Sequence, residues 1–414
     1  MWKAGYLVFV AVIFLIVLHI CDVRCQEESD VTPQSVGGDV EGDSSSNPKK
    51  HVLVFGGNGF MGSATVGRLL QRYGDFYDIT IVNRGTWYWD STVTIRPYVR
   101  HFACNREEPL GLCTGFGGFV KSVQQFEAVI DFSAYVPYAV DQALKILQDK
   151  VKLYIYISTD SVYDVCPKFH NNPTKEMECF RPENVEHKDS YGYQKLQCEE
   201  QLISARENGG FPSIIFRLPD VMGPRDNTHR WWTYQMWIRL AGQYINKLVA
   251  VPDFLLAIPI SMVYSEDVAS LIVDIINMKD QSGVTDQVFN LAFKEKLTLP
   301  IVLNDISIEL GLGNLTYLAG SSQYLYPSVT KGAINISKAL DLLRWKPTPW
   351  KRAVAETVKF YEEAMGWARY APREDLINGM LQDIALDEKE GFARGLKEIY
   401  RYELTVSSNV KDEL

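Results

Sequence analysis

The stretch His51-Val-Leu-Val-Phe-Gly-Gly-Asn-Gly-Phe-Met-Gly62 decides the fold. His51 to Phe55 reads as a strand and the amphipathic run Ser63 to Tyr73 as a helix, so a glycine-rich turn joins the two. Glycines at 56, 59 and 62 leave no Cβ at the tight turn, at the approach to a phosphate, or where the helix packs on the strand, and the helix N-terminus favours an anion. That is where a dinucleotide pyrophosphate binds, with Phe60 and Met61 beside it. The next apolar run, Asp78-Ile-Thr-Ile-Val82, follows after a helix-length gap and completes a strand, helix, strand unit.

Working outward, short Val- and Ile-rich runs keep alternating with helical patterns. Strands are expected at 52–55, 79–82, 98–103, 128–132, 153–158 and 213–217, with helices such as Ala139 to Lys150 and Tyr191 to Asn208 between them. Such alternation implies an α/β fold: a Rossmann-type doubly wound parallel sheet over residues 50–216, with ligands at the carboxyl ends of the strands. Beyond Arg217 the pattern becomes irregular, which suits a smaller C-terminal substrate-binding lobe over 217–365, partly interleaved with the first domain. Its aromatic stretch, Trp231-Trp-Thr-Tyr-Gln-Met-Trp237, fits a uracil-type base or an apolar ring equally. The charged helical tail from Trp350 to Tyr402 is expected to pack on the outside, with 366–410 as an extension.

The two ends carry addresses rather than fold. Residues 1–25 hold an apolar run from Ala4 to Ile20 and read as a secretory signal, with a retained anchor as the alternative. Lys411-Asp-Glu-Leu414 matches the retrieval signal of soluble proteins of the endoplasmic reticulum lumen, so a luminal protein that meets the retrieval receptor is expected. Residues 26–49 are acidic and polar without an aromatic, and read as a disordered linker. A net charge of -9 and no block of Lys and Arg argue against a nucleic-acid partner. The six scattered histidines give no paired spacing for a metal.

Seven cysteines include Cys21 and Cys25 of the leader. In an oxidising lumen the others are expected to pair across short loops, Cys104 with Cys113 and Cys166 with Cys179, leaving Cys198 free; five reduced thiols are the alternative. Asn314-Leu-Thr316 and Asn335-Ile-Ser337 are glycosylation sequons.

Chemistry is expected after the later strands. Tyr154-Ile-Tyr-Ile-Ser-Thr-Asp160 is a strand ending in hydroxyl groups, and Tyr191-Gly-Tyr-Gln-Lys195 places a phenol and an ammonium four residues apart on one helix face. A free tyrosine has a pKa of about 10, and a neighbouring Lys cation is expected to lower it, making an acid/base device.

With these residues in order, the chain resembles the extended short-chain dehydrogenase/reductase superfamily, in its branch of nucleotide-sugar epimerases and dehydratases, over about residues 50 to 365. The resemblance rests on the Gly56, Gly59, Gly62 turn, Val129-Ile-Asp-Phe-Ser-Ala-Tyr135, Thr159, and Tyr191 with Lys195. It continues in Arg217-Leu-Pro-Asp-Val-Met-Gly-Pro-Arg-Asp226, Ser265-Glu-Asp267 and Ile336-Ser-Lys-Ala339. It implies that Tyr191 exchanges a proton with a substrate hydroxyl, that Lys195 holds the nicotinamide ribose and tunes Tyr191, and that Thr159 hydrogen-bonds the reacting oxygen. It also implies that Ser133 and Ala134 line the cofactor cleft, that Arg225 meets a substrate phosphate, and that a homodimer is an open assembly.

Three departures bear on that carry-over. Dehydratases of this group resemble Thr-Asp-Glu where this chain has Thr159-Asp160-Ser161, so Asp160 stands without the second acid. Asn83-Arg84 follows the second strand instead of an acidic residue, which tilts the cofactor from NAD toward NADP. Asn105 stands where relatives often have an Asp near adenine. The functions left open are a nucleotide-sugar epimerase or oxidoreductase, a reductase or dehydrogenase of a lipid or steroid, and a non-catalytic cofactor-binding protein.

Overall fold

Burial along the first apolar run sets the layering. The computed structural model describes residues 48–166, 173–179, 191–367 and 371–404; the leader, the linker as far as residue 47 and the terminal tetrapeptide lie outside the described residues. In strand β1 (Lys50–Phe55), Val52 and Val54 enter one apolar cluster while Leu53 and Phe55 enter another. A strand buried on both faces needs no polar alternation, and its sequence is therefore continuously apolar.

The strands that follow are β2 (Tyr77–Asn83), β3 (Arg100–Ala103), β4 (Phe126–Asp131), β5 (Tyr154–Thr159), β6 (Ser213–Leu218), β7 (Asp220–Met222), β8 (Ala250–Val251), β9 (Met262–Tyr264), β10 (Gln287–Asn290) and β11 (Leu318–Ala319). The main sheet has seven strands in the order β10-β6-β5-β4-β1-β2-β3, every neighbouring pair parallel. The order reverses at β1, which opens a crevice between β1 and β4 at their carboxyl ends. The expected Rossmann-type α/β fold is what the chain has. The late strand β10 escaped the sequence reading because it is four residues long and its first two are only partly buried.

The longer helices are α1 (Phe60–Tyr73), α2 (Pro137–Leu147), α3 (Tyr191–Glu207), α4 (Arg230–Leu240), α5 (Ser265–Ile276), α6 (Leu299–Glu309), α7 (Trp350–Ala364), α8 (Arg373–Asp383) and α9 (Lys389–Tyr400). Val66 and Leu69 of α1 join Val268 and Ile272 of α5 over one face of the sheet, and Val140 and Leu147 of α2 join Cys198 and Leu202 of α3 over the other. Among the described residues no helix is long and apolar enough to cross a membrane.

The second lobe has its own core, and two expectations change there. Trp231 and Trp232 are both 0% exposed; Trp232 stacks on Tyr361 at 5.2 Å and Trp231 meets Trp350 edge-on at 6.2 Å, so neither offers a platform to a ligand. Apolar burial of two indoles outweighs any exposed stacking role. The tail is not an outer layer either. Leu376, Ile377 and Met380 of α8 and Phe392 and Leu396 of α9 enter the same core, because each helix has an apolar stripe under its charged face.

Candidate active site

The glycine turn is explained in two halves. Gly56 has φ +78°, and its carbonyl accepts the Gly59 N–H at 3.1 Å; a Cβ on Gly62 would collide with that same carbonyl. Packing alone therefore demands Gly62. At Gly59 the nearest atom to an added Cβ would be 3.5 Å away, so the protein itself leaves room for a side chain that the sequence does not use. Gly59 is also the N-cap of α1 and supplies no capping side chain, which leaves the helix N-terminus open to an anion.

A cleft of ≈ 650 Å³ lies over the turn, lined by Gly56, Gly59, Phe60, Met61 and Gly62 on one side and by Asn83, Arg84 and Asn105 at one end. Ser133 and Tyr191 line it too, with Ala134 buried just behind. Asn83 Oδ1 accepts hydrogen bonds from the Gly85 N–H at 2.6 Å and from His101 at 3.1 Å, which fixes the amide orientation. Its Nδ2 is left buried without a partner. A buried donor of this kind at the end of β2 suits a ribose hydroxyl or phosphate. Arg84 is exposed and has no ion pair among the described residues. Asn105 turns its Oδ1 to the Glu107 N–H at 3.2 Å, within its own loop. The open helix end, the unfilled space at Gly59 and the orphan Asn83 donor together fit a bound dinucleotide.

Helix α3 brings Tyr191 to the cleft with Lys195 buried one turn further on, and a buried ion pair fixes that helix: Arg217 of β6 donates to Glu199 at 2.6 Å, and Ser158 of β5 donates to the same carboxylate at 2.5 Å. Removing one partner of such a pair costs on the order of 3–5 kcal/mol. Lys195 is 2% exposed and its Nζ donates to the carbonyls of Ala134 at 3.0 Å and Ile157 at 2.7 Å, between the rings of Tyr135 and Tyr156. Burial lowers its pKa to about 8, so it is an ammonium at neutral pH and loses charge on the alkaline side.

Tyr191 departs from expectation. Its phenol is pushed up from the ordinary value, by burial first and then by Tyr135, with the Thr159 hydrogen bond and the Arg230 charge pulling the other way. Burial outweighs the lowering expected from Lys195, whose ammonium donates to two carbonyls and not to the phenol. Thr159 pulls the Tyr191 phenol downward, while its own Oγ1 donates to the Ser161 hydroxyl at 3.1 Å and accepts the Ser161 N–H at 3.1 Å. Asp160 is buried, and burial together with Asp220 and Asp164 raises its pKa well above the usual carboxylate range.

Arg225, expected to meet a substrate phosphate, stands outside the cleft. Its guanidinium makes two hydrogen bonds of 2.6 Å to Asp90. Arg230 at the start of α4 lines it instead, held by Asp220 at 2.6 Å and Ser328 at 2.9 Å, with Asp226 and Thr228 nearby. Sequence reasoning missed Arg230 because it borders the aromatic stretch, and missed Arg106, which also lines the cleft, because no motif marks it. The cysteines pair as Cys104–Cys113 and Cys166–Cys179, with Cα atoms 5.5 and 5.3 Å apart, and Cys198 is a buried thiol. Of the two sequons Asn314 is exposed, whereas Asn335 is half-buried with its Oδ1 accepting the Ser337 N–H.

Comparison with known proteins gives the same picture. No curated protein has a sequence that matches this chain. The dTDP-glucose 4,6-dehydratase of Bacillus anthracis, solved with NAD, superposes with a TM-score of 0.57 at 19% identity, covering 77% of this chain and 98% of that one. The UDP-glucose 4-epimerase of Thermotoga maritima, solved with UDP-glucose, gives 0.58 at 19% identity over 76% and 99%. The UDP-N-acetylglucosamine 4-epimerase of Methanobrevibacter ruminantium gives 0.57 at 21% over 76% and 99%. These likenesses show the fold. Residues 117–292, which hold Tyr191, Lys195 and Thr159, match the NAD dependent epimerase/dehydratase family, and over that stretch the chain is similar to these enzymes.

Proposed function

We propose that this protein epimerises or oxidises a hydroxyl of a nucleotide sugar, with NADP(H) in preference to NAD(H), in the lumen of the endoplasmic reticulum. The observation that carries the proposal is that Tyr191 lines the cleft the dinucleotide turn opens, with Thr159 acting on its phenol and Lys195 buried one turn further along α3 against Tyr135 of the same cleft. The substrate half is polar, with Asp226, Asn227, Thr228 and Arg230 on its wall, which favours a sugar over a lipid or steroid. An intact acid/base set speaks against a purely binding role.

A bound nicotinamide supplies the means of taking and returning a hydride. Gly56 to Gly62 and the N-terminus of α1 would hold its diphosphate, and Asn83 and Arg84 its adenosine end. Tyr191 keeps its proton at rest, since a phenol is already neutral at physiological pH and its shift here is upward, so it is set to donate to a carbonyl oxygen. Taking a proton from a hydroxyl requires the phenolate, which the Arg230 charge and the Thr159 hydrogen bond favour. Ser161 stands at the position of a second acid, so water is not readily expelled. The test is to incubate the protein with NADP and a panel of UDP- and dTDP-sugars. Isomers of unchanged mass or a simple two-electron oxidation are expected, and product lighter by one water would overturn this subtype.

Arg84→Ala should weaken NADPH binding by about 1–3 kcal/mol while leaving NADH nearly unchanged, since a guanidinium with no ion pair is available to a 2′-phosphate. Titration of both cofactors decides it: equal losses, or an initial preference for NADH, refute the cofactor assignment. For location, deleting Lys411 to Leu414 should release the protein into the medium. Continued retention of the truncated chain would point to an uncut N-terminal anchor.

A further inference from the structure

Arg106 lies in the loop that the Cys104–Cys113 disulfide closes, and it is 7% exposed. Its Nη2 donates to Asp131 Oδ2 at 2.9 Å and to the Ala139 carbonyl at 2.8 Å, its Nη1 to Asp131 Oδ1 at 3.3 Å, and the guanidinium lies 3.9 Å over the Phe55 ring. Asp131 is fully buried at the end of β4. Its Oδ1 also accepts the N–H groups of Ser133 and Ala134, each at 2.9 Å, and its Oδ2 accepts the Tyr154 hydroxyl at 2.5 Å. Ala134 is the residue whose carbonyl takes the Lys195 ammonium.

A buried ion pair is weak evidence of a stability role, because an apolar pair of similar volume is often as good. Here it sits beneath the turn that presents a carbonyl to the catalytic-helix lysine. Arg106 Nε is buried without a partner, and the residue lines the cofactor cleft. We propose that Arg106 is a positioning residue: through Asp131 it sets the 132–134 turn, and with it the place of the Lys195 ammonium behind Tyr135 of the cofactor cleft, while the Cys104–Cys113 bridge tethers the loop that carries it.

The inference rests on the dinucleotide-dependent reading above, and the experiment separates the two. Binding of NADH, NADPH and ADP is measured by titration for the wild type, for Arg106→Lys, and for Arg106→Gln with Asp131→Asn, which keeps a neutral hydrogen-bonded pair and so avoids an unpaired buried charge. Each is made with Lys195 intact and with Lys195→Met. ADP carries only the adenine end and so does not reach Lys195. The neutral pair should weaken the preferred dinucleotide about tenfold and ADP by less than about twofold, Arg106→Lys should fall between, and in the Lys195→Met background the Arg106 change should add almost nothing. Equal weakening of ADP, or full additivity with Lys195→Met, would mean that Arg106 only supports the fold and would overturn the proposal. A wild type that binds neither dinucleotide would take down the functional reading first, and this inference with it.

Discussion

Turnover should fall by a factor on the order of 10² to 10⁴ in Tyr191→Phe, with folding and cofactor binding kept. The substitution removes one hydroxyl from a ring that is half exposed at the first turn of α3 and is anchored to no core cluster. What holds α3 in place lies elsewhere, in the Glu199–Arg217 pair and in buried Cys198 and Leu202, none of which the change touches. The hydroxyl, by contrast, is the group that Thr159 and Arg230 act on electrostatically. Product formation from the sugar nucleotide that the wild type converts, measured beside dinucleotide titration, separates the two effects. Undiminished turnover would remove the catalytic assignment, and a parallel loss of dinucleotide binding would make Tyr191 a cofactor residue instead.

The pH dependence follows from the same groups. Lys195 carries its charge below about 8 and loses it above, so cofactor retention that depends on this ammonium should fade on the alkaline side. Tyr191 stays protonated through that range, since its own shift is upward. The alkaline limb therefore belongs to Lys195, and a Lys195→Met variant should lack it.

The legible parts of the sequence were those whose physics is local. β1 and its glycine turn were readable because strand burial on both faces and a missing Cβ leave direct marks in residue type, and Tyr191 with Lys195 because four-residue spacing fixes a helix face. Arg225 and Arg230 show the limit. Both are arginines near the start of α4, and only the partners from distant segments, Asp90 for one and Asp220 with Ser328 for the other, decide which faces the cleft. Tyr191 was misjudged for a related reason: the spacing gave its neighbour correctly, but the desolvation that raises its phenol comes from surrounding segments, and the Lys195 ammonium donates to carbonyls of residues 134 and 157, which no helix pattern reveals. Trp231 and Trp232 were ambiguous because an indole serves a core or a ligand equally well until Tyr361 and Trp350 are seen against it.

Gly59→Ala and Gly62→Ala should separate the needs of the cofactor from the needs of the fold. At Gly59 the backbone has φ -82° and ψ -174°, a region open to any residue, and an added methyl would meet nothing nearer than 3.5 Å. Replacing a glycine N-cap by alanine costs about 0.5–1 kcal/mol, and the reduced freedom of the unfolded chain returns a similar amount, so the melting temperature should barely move. Yet the methyl would stand in front of the open N-terminus of α1, where the diphosphate is proposed to lie. Losing charge-assisted contacts worth about 1.5–3 kcal/mol weakens dinucleotide binding by on the order of ten- to a hundredfold. At Gly62 the added Cβ would collide with the Gly56 carbonyl, a backbone atom that cannot rotate away, so the turn itself must shift. Overpacking of that kind costs about 1–3 kcal/mol, and here stability and binding should fall together. Thermal unfolding of both variants beside NADPH and NADH titrations gives the comparison. A Gly59→Ala protein that binds either dinucleotide as the wild type does would show that nothing approaches the turn from the cleft, and the cofactor site would have to be sought elsewhere.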